Sequence, residues 1–256
     1  ADRVIERRFR WPRSGGTPME THGAVASFDP GTGKFTITAN TSMYNYCGWM
    51  IADSLNVPAH KLNIIPTLAG GSFGAKLFSH KPCVLAATLA RATGRPVKFM
   101  EDRIDNTTGC DAHGSDRVYY AKLAIKDDGT LLSLKTHIID DYGAYFQFGV
   151  GQHGNALSQC VGPYQINSVE VALEAVLTNK CQQGAYRGFG SEVANFVIER
   201  LVDGAAAELG MDVIEIRRKN FITPDQFPYL IPTGNMYDSG NYAEVLDQAL
   251  ELSEYD

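Results

Sequence analysis

The sequence lacks the features of a membrane-spanning, secreted or nucleic-acid-binding protein. No uninterrupted apolar run approaches the ~20 residues that a membrane-spanning helix needs. The N-terminal residues contain no apolar stretch of the kind found in a signal peptide. Lys and Arg number 23 against 29 Asp and Glu, which gives a net charge of −6. Because phosphate contacts need clustered Lys and Arg, nucleic acid is not an expected partner.

Cysteine is scarce and scattered. The five cysteines are Cys47, Cys83, Cys110, Cys160 and Cys181, with no pair at the CxxC spacing. This arrangement argues against a disulfide framework or a zinc site and favours a reduced, cytoplasmic setting. The first residue is Ala1 rather than methionine, so we expect the chain to be processed or cut from something longer.

The rest of the composition is that of a globular protein in which glycine is abundant. Of the 256 residues, 44% are hydrophobic and 20% are charged, which are ordinary values for a folded domain. Several of the 25 glycines occur in tight groups. Because glycine lacks a Cβ atom, these groups indicate that the backbone closely approaches something there.

Turn residues and hydrophobic periodicity predict an α+β fold. Strands are predicted over 23–28, 35–41, 62–67, 96–100, 118–125, 131–139 and 169–178, and helices over 43–55, 82–92, 191–209, 213–219 and 242–252. Ser42 and Ser191 are the expected N-caps of two of these helices. The elements do not alternate regularly, which favours mixed sheets with packed helices over a doubly wound sheet.

Domain boundaries are less marked. The basic, polar residues 1–17 are predicted to form a leading segment ahead of one large domain, 18–256, with candidate subdomains 18–160 and 161–256. Residues 141–167 show no clear periodicity and are predicted to form a long loop.

The expected roles of the remaining polar residues are structural: His22 in the fold, Asp140 and Asp141 in a turn, and His113 and His153 solvated or bonded to the backbone.

The first glycine loop, GGSFGAK over 70–76, lies between a predicted strand and a predicted helix. Such a loop presents several backbone N–H groups to an anion or an oxo group. It is not a Walker A loop, because Leu77 follows Lys76 where that motif needs Ser or Thr. This disfavours a phosphate-loop enzyme. Taken alone, the loop is more typical of a tight strand-to-helix turn.

The second glycine loop, NKCQQGAYRGFG over 179–190, also lies between a predicted strand and a predicted helix. Its Arg187 precedes Gly188 close to the start of the helix. An arginine at this place suits an anion or an oxyanion. The alternative is a surface arginine in a flexible loop.

Together the two loops resemble the molybdenum-binding subunit of the xanthine oxidase family, the molybdenum hydroxylases. The family patterns run close to GGGFGGK and TNK…GAYRGFG. Further agreement is found in PMETHGA at 18–24 and GRPVKFMEDR at 94–103, and in shorter motifs at 141–145, 162–164, 199–201, 217–220 and 227–240. The resemblance runs nearly from end to end, and it implies an α+β fold that forms the middle portion of such a subunit.

The resemblance implies oxidative hydroxylation of an aldehyde or N-heteroaromatic carbon with water-derived oxygen. Molybdenum is then held by the dithiolene of molybdopterin, in bacteria often as the cytosine dinucleotide, and no side chain is expected to ligate the metal. The implied cofactor contacts are Gly70, Gly71, Ser72, Phe73, Gly74, Ala185, Tyr186, Arg187 and Gly188. Arg187 is the implied catalytic residue that orients substrate or an oxyanion, and Phe73, Leu77, Asn155 and Phe189 are implied to line the substrate site.

Four positions depart from particular branches of the family. Leu77 and Asn155 replace a Glu and an Arg of the purine-specific branches, which argues against a purine substrate. Ser42 replaces the Gln near the apical oxo ligand. Gly188 replaces the Cys that holds copper in the carbon monoxide dehydrogenase branch, so copper–molybdenum chemistry is not expected.

The family's general base, a Glu in a Gly-Xaa-Gly-Glu context, is absent after Gly240. The expected partners are therefore the remaining C-terminal half of the subunit with that Glu, iron–sulfur and flavin subunits carrying 2Fe-2S and FAD, and a small-molecule substrate. The isolated chain is expected to be inactive. The alternative is a non-catalytic scaffold or interaction module that keeps the fold without bound cofactor.

Overall fold

The computed structural model describes residues 1–77, 79–109, 113–146 and 149–255, so Cys110 lies outside the described residues. The strands are β1 (Arg3–Trp11), β2 (Gly23–Asp29), β3 (Lys34–Ala39), β4 (Leu62–Pro66), β5 (Val97–Met100), β6 (Arg117–Ile125), β7 (Leu131–Gly143), β8 (Ser168–Leu177), β9 (Tyr229–Leu230) and β10 (Met236–Tyr237). The helices are α1 (Tyr44–Leu55), α2 (His80–Thr93), α3 (Arg103–Gly109), α4 (Gly149–Leu157), α5 (Ser191–Leu209), α6 (Val213–Asn220) and α7 (Tyr242–Ser253). The predicted α+β class, with mixed sheets and packed helices, is confirmed.

The first sheet has the strand order β4-β3-β2-β5 and leads into the first glycine loop. β2 pairs antiparallel with β3 and β5, whereas β4 runs parallel to β3. α2 packs on this sheet through Ala86, Ala87 and Ala90, all fully buried. Their small side chains allow the helix to approach the strands closely, and Gly94 ends α2 with a left-handed φ of 65°.

The second sheet has the order β1-β6-β7-β8 and leads into the second glycine loop. β1–β6 and β6–β7 are antiparallel, and β7–β8 are parallel. α5 covers one face of this sheet with Val193, Val197, Leu201 and Ala205, a stripe of buried residues at the helical spacing of four. α5 directly follows the second glycine loop, so the packing of the helix fixes one end of that loop.

The leading segment belongs to this second layer. β1 pairs with β6 along its whole length. Ile5 is fully buried, and Phe9 and Trp11 pack against the same core at the strand spacing of two. The arginines between them conceal this alternation. The core also includes residues on both sides of 160/161.

The segment 141–167, predicted as a loop, contains α4 and the end of β7. The sequence of α4, GVGQHGNAL, has three glycines, which hide a helical pattern. α3 was likewise not predicted.

Ser42 and Ser191 do not cap α1 and α5, which follow Met43 and Gly190 without a side-chain cap. Among the described residues, no helix is long and apolar enough to span a membrane.

Candidate functional site

The two glycine loops, more than a hundred residues apart in the sequence, touch through their backbones. The N–H of Arg187 donates to Phe73 O at 3.0 Å. A Cβ atom on Gly74 would lie 2.3 Å from Ala185 O and 2.9 Å from the nitrogen of Tyr186. Only a residue without a side chain fits such a gap, so Gly74 is what allows the loops to meet.

Both loops place a phenylalanine in the left-handed region of backbone conformation. Phe73 has a φ of 52°, between Gly71 at 93° and Gly74 at 98°. Phe189 has a φ of 49° and lies between Gly188 and Gly190, at 98° and 101°. Such strained non-glycine residues cluster at functional sites, where the surrounding structure holds them in place.

A glutamate from the PMETHGA segment supports the first glycine loop. Glu20 Oε2 accepts from the N–H of Gly70 at 2.7 Å and pairs with the fully buried Nζ of Lys76. The hydrogen bond from Lys76 is the largest of the effects that lower the pKa of Glu20. Ser72 completes this region, because its Oγ accepts from Ser42 Oγ at 3.0 Å and from the N–H of Lys76 at 3.2 Å. Ser42, a departure from the family pattern, thus bonds to the first glycine loop.

His22 joins the first glycine loop to the segment after β5. Its Nε2 lies 2.9 Å from Ala75 O and its Nδ1 lies 2.9 Å from Glu101 Oε2, which also accepts from Asn106 Nδ2 at 2.9 Å. Burial raises the pKa of Glu101, but the hydrogen bonds from His22 and Asn106 outweigh burial, and the net pKa is lowered. The Glu101 carboxylate is therefore more stable in the folded chain than in the unfolded one.

Glu101→Gln is expected to destabilise the chain in a pH-dependent way. A carboxyl group with a lowered pKa stabilises the fold fully above its unfolded pKa of about 4.3, and this contribution is lost as the pH falls through the folded pKa. The difference from wild type, about 1–2 kcal/mol at pH 7, should shrink below about pH 4. Urea unfolding at several pH values measures it. Glu6→Gln, on the exposed face of β1, is the control and should show little effect at any pH. A difference for Glu101→Gln that is constant from pH 7 to pH 3 would contradict this account.

The second glycine loop is held by α4. Asn155 Nδ2 donates to Gly188 O at 3.0 Å and to Phe189 O at 3.2 Å. Gln152, 1% exposed, donates from Nε2 to Gly184 O and accepts from Ser115 Oγ at 2.7 Å. Asn155, which the resemblance implied to line the substrate site, thus directs its amide group to the loop backbone.

The other implied site residues lie at or beside the two loops. Phe73 is about half exposed, and Arg187 and Gly188 are also exposed, whereas Ala185 is buried. Gly70, Gly71, Ser72, Leu77, Tyr186 and Phe189 range from half-buried to exposed. The structure brings the two implied sets of cofactor contacts together at one place.

A buried charge network lies behind the second glycine loop and was not predicted. Asp140, fully buried, pairs with the fully buried Arg117 at 2.9 Å and lies 2.7 Å from His153 Nε2. The Tyr142 hydroxyl lies 2.8 Å from His153 Nδ1. The predictions that His153 is solvated or backbone-bonded and that Asp140 lies in a turn are therefore wrong: His153 is 6% exposed, and Asp140 is in β7. His113 is backbone-bonded, with Nε2 2.8 Å from Thr107 O.

Two further carboxylates at the loops were not predicted from the sequence. Glu20 lies in the PMETHGA segment, and Glu192 lies in the first turn of α5. Glu192 Oε2 accepts from the N–H of Gly190 at 2.7 Å, and burial raises the pKa of Glu192. For Glu192, the available signal was an acidic residue in the first turn of a predicted helix.

The loops leave backbone donors for an oxygen-rich group. Within the described residues, no chain atom accepts a hydrogen bond from the N–H groups of Gly71, Phe73, Gly74 or Gly188. Exposed Arg187 adds a positive charge beside them. Such N–H groups and an arginine are the donors that phosphate and oxo groups require. No group of three or more His, Cys, Asp or Glu residues suited to a metal ion occurs in the described part of the chain. The N–H groups and Arg187 therefore suit an oxygen-rich group.

Comparison with known protein families supports the resemblance found in the sequence. The model of the molybdopterin cofactor-binding domain matches residues 1–221. The chain belongs to this family. The resemblance found in the sequence is confirmed, and the alternative of a scaffold that does not bind cofactor is not favoured.

Similar proteins include the carbon monoxide dehydrogenase large chain of Hydrogenophaga pseudoflava, 34% identical over 98% of this chain and 32% of the relative. The 6-hydroxypseudooxynicotine dehydrogenase complex subunit gamma of Paenarthrobacter nicotinovorans is 31% identical over 100% of this chain and 33% of the relative. The crystal structure of quinoline 2-oxidoreductase from Pseudomonas putida 86 matches with a TM-score of 0.91 and 34% identity, over 98% of this chain and 32% of that chain. This molybdopterin-binding chain thus spans about a third of the length of these relatives.

Proposed function

We propose that this chain forms one side of the molybdenum site of a molybdenum hydroxylase. The observation that carries the proposal is the direct contact of the two glycine loops, which places Arg187 beside backbone N–H groups that have no partner among the described residues. When bound, the molybdopterin cofactor supplies the metal that activates a water-derived oxygen and accepts electrons from the substrate. We propose the cytosine dinucleotide form of this cofactor.

In this proposal, the chain's own residues bind the cofactor and orient the substrate. The N–H groups of Gly71, Phe73, Gly74 and Gly188 donate to oxygen atoms of the cofactor, and the absence of side chains at the glycines permits close approach. The Arg187 guanidinium orients an anionic or oxygenated group of the substrate. The rings of Phe73 and Phe189 contact a planar substrate. Their left-handed backbone conformation sets the direction of each Cα–Cβ bond before the substrate arrives.

We propose an N-heteroaromatic compound or an aldehyde as the substrate. The names of similar proteins include quinoline, nicotine and aldehyde enzymes as well as carbon monoxide dehydrogenases. Gly188 stands at the position where the resemblance implies a copper-holding cysteine, which disfavours carbon monoxide. We propose that the general base, 2Fe-2S and FAD reside outside this chain, in the rest of the molybdenum subunit and in partner subunits.

Arg187→Ala is expected to reduce turnover of quinoline or an aromatic aldehyde at least about tenfold, because an exposed charged donor to the substrate is lost. Folding should be unchanged, since the Arg187 side chain is exposed. The measurement is kcat/KM in the molybdenum-containing assembly, together with incorporation of oxygen from labelled water into the product. Arg95→Ala, another exposed arginine, is the control. Near-normal turnover by Arg187→Ala would remove Arg187 from the site, and product oxygen that does not come from water would exclude the proposed reaction.

A further inference from the structure

α4 touches the second glycine loop at several points. Asn155 Nδ2 donates to Gly188 O and Phe189 O. Gln152 Nε2 donates to Gly184 O. The carbonyl oxygen of Gln152 would lie 2.2 Å from a Cβ atom on Gly190, so the helix backbone rests directly against the loop. One short helix thus holds both ends of the turn that carries Arg187.

The part of the loop that α4 holds is the strained part. Gly188, Phe189 and Gly190 are three consecutive residues with positive φ. A phenylalanine adopts this conformation only where its surroundings enforce it. The carbonyl groups that accept from Asn155 are those of Gly188 and Phe189, two of these three residues. The Asn155 amide therefore contacts the strained turn itself, which directly follows Arg187.

α4 is in turn fixed to the second sheet by His153, which directly follows Gln152. His153 lies 2.7 Å from Asp140 Oδ2 on β7, which pairs with Arg117 on β6. The other ring nitrogen lies 2.8 Å from the Tyr142 hydroxyl. These contacts are buried, so water does not compete with them. They connect the rigid sheet to α4 and, through α4, to the loop.

We propose that α4 is the positioning element of the second glycine loop, with Asn155 as the positioning residue for Arg187 and Phe189 and His153 as its anchor. Asn155 holds the strained turn by donating to two carbonyl groups, and His153 holds α4 at the distance that these bonds require. The contacts by which α4 holds the second glycine loop do not depend on the proposed function. The inference that this hold positions Arg187 to orient a substrate rests on the proposed function.

Trypsin cleavage after Arg187 tests the hold on the loop directly. Arg187 is exposed, and the bond that follows it becomes cleavable when the turn opens. In the folded chain, Asn155→Ala should raise the rate of this cleavage about tenfold, which corresponds to about 1.4 kcal/mol. Mass spectrometry measures the rate relative to cleavage after Lys126, an exposed residue in a distant turn. Asn195→Ala, on the exposed side of α5, is the matched control and should cleave like wild type.

Asn155→Asp tests whether the loop is held by the hydrogen bonds that the Asn155 amide donates or only by the volume of the side chain. Aspartate has almost the same size as asparagine, but when ionised it places an acceptor against two carbonyl oxygens. Cleavage should therefore be faster for Asn155→Asp than for Asn155→Ala. The reverse order, or a wild-type rate for Asn155→Asp, would overturn the proposal that donation positions the loop.

The anchor is tested by combining substitutions. His153→Gln should also raise cleavage after Arg187, and its effect in combination with Asn155→Ala should be smaller than the product of the two single effects, because both act through α4. Independent, multiplicative effects, or no effect of His153→Gln, would overturn the anchor role. The cleavage assay needs neither cofactor nor substrate, so it stands whether or not the proposed hydroxylation is correct. Circular dichroism confirms that each variant is folded before digestion.

Discussion

Gly74→Ala is expected to lower the free energy of unfolding by about 3 kcal/mol or more and to abolish molybdenum binding. The added methyl group meets Ala185 O at 2.3 Å, a backbone atom that moves only if the second glycine loop moves with it. The left-handed φ of 98° adds conformational strain for any residue other than glycine. The two loops should separate, and the N–H of Arg187 should lose Phe73 O. Urea unfolding and elemental analysis of the purified assembly measure the two effects.

Gly94→Ala is the matched control for this prediction. Gly94 also has a positive φ, 65°, at the end of α2, but an added Cβ atom would meet no atom within 4 Å. It should therefore show only the conformational cost of about 1 kcal/mol and keep its molybdenum. If Gly74→Ala and Gly94→Ala are equally destabilised and both retain molybdenum, the close contact of the two loops does not build the site.

Asp140→Asn is expected to destabilise the chain by about 3–5 kcal/mol, because it leaves the Arg117 guanidinium buried without its counter-charge. Both side chains of this pair are fully buried, and an arginine keeps its proton in such a setting. His153 loses its carboxylate neighbour at the same time. Because His153 connects this pair to α4, and α4 contacts the second glycine loop, that loop should be destabilised as well. Thermal and urea unfolding measure the effect.

Glu170→Ala is the control for the buried pair. Glu170 on β8 pairs with Lys135 at 2.7 Å, but both side chains are more than half exposed to solvent. Exposed pairs of this kind contribute about 0–1 kcal/mol. A loss for Asp140→Asn as small as that for Glu170→Ala would mean that solvent or a rearranged partner compensates Arg117, and the network would not anchor α4.

Most regular elements of this fold were predictable because their signals are local. Turn residues mark the β2–β3 hairpin, and glycines mark the ends of α2 and α5. α4 was not predictable, since its glycine-rich sequence has little helical preference and its hold comes from side chains that contact distant segments. β1 was hidden for a related reason: its arginines face solvent while Ile5, Phe9 and Trp11 face the core.

The site was predictable in part. The motif order identified both glycine loops, but no local pattern indicates that Gly74 meets Ala185 or that Asn155 bonds to Gly188. These are long-range contacts that depend on how the two sheets pack. The same holds for the Arg117, Asp140 and His153 network, whose members come from three separate elements. The sequence predicted His153 to be solvated or bonded to the backbone and Asp140 to lie in a turn, because polar residues are usually exposed.

Molybdenum content is the most direct test of the claim that the two glycine loops build a cofactor site. The assembly containing this chain is purified, and metal analysis gives the molybdenum per chain. We predict about one molybdenum per chain, with the pterin released on denaturation. An assembly that contains iron and flavin but no molybdenum would contradict the account.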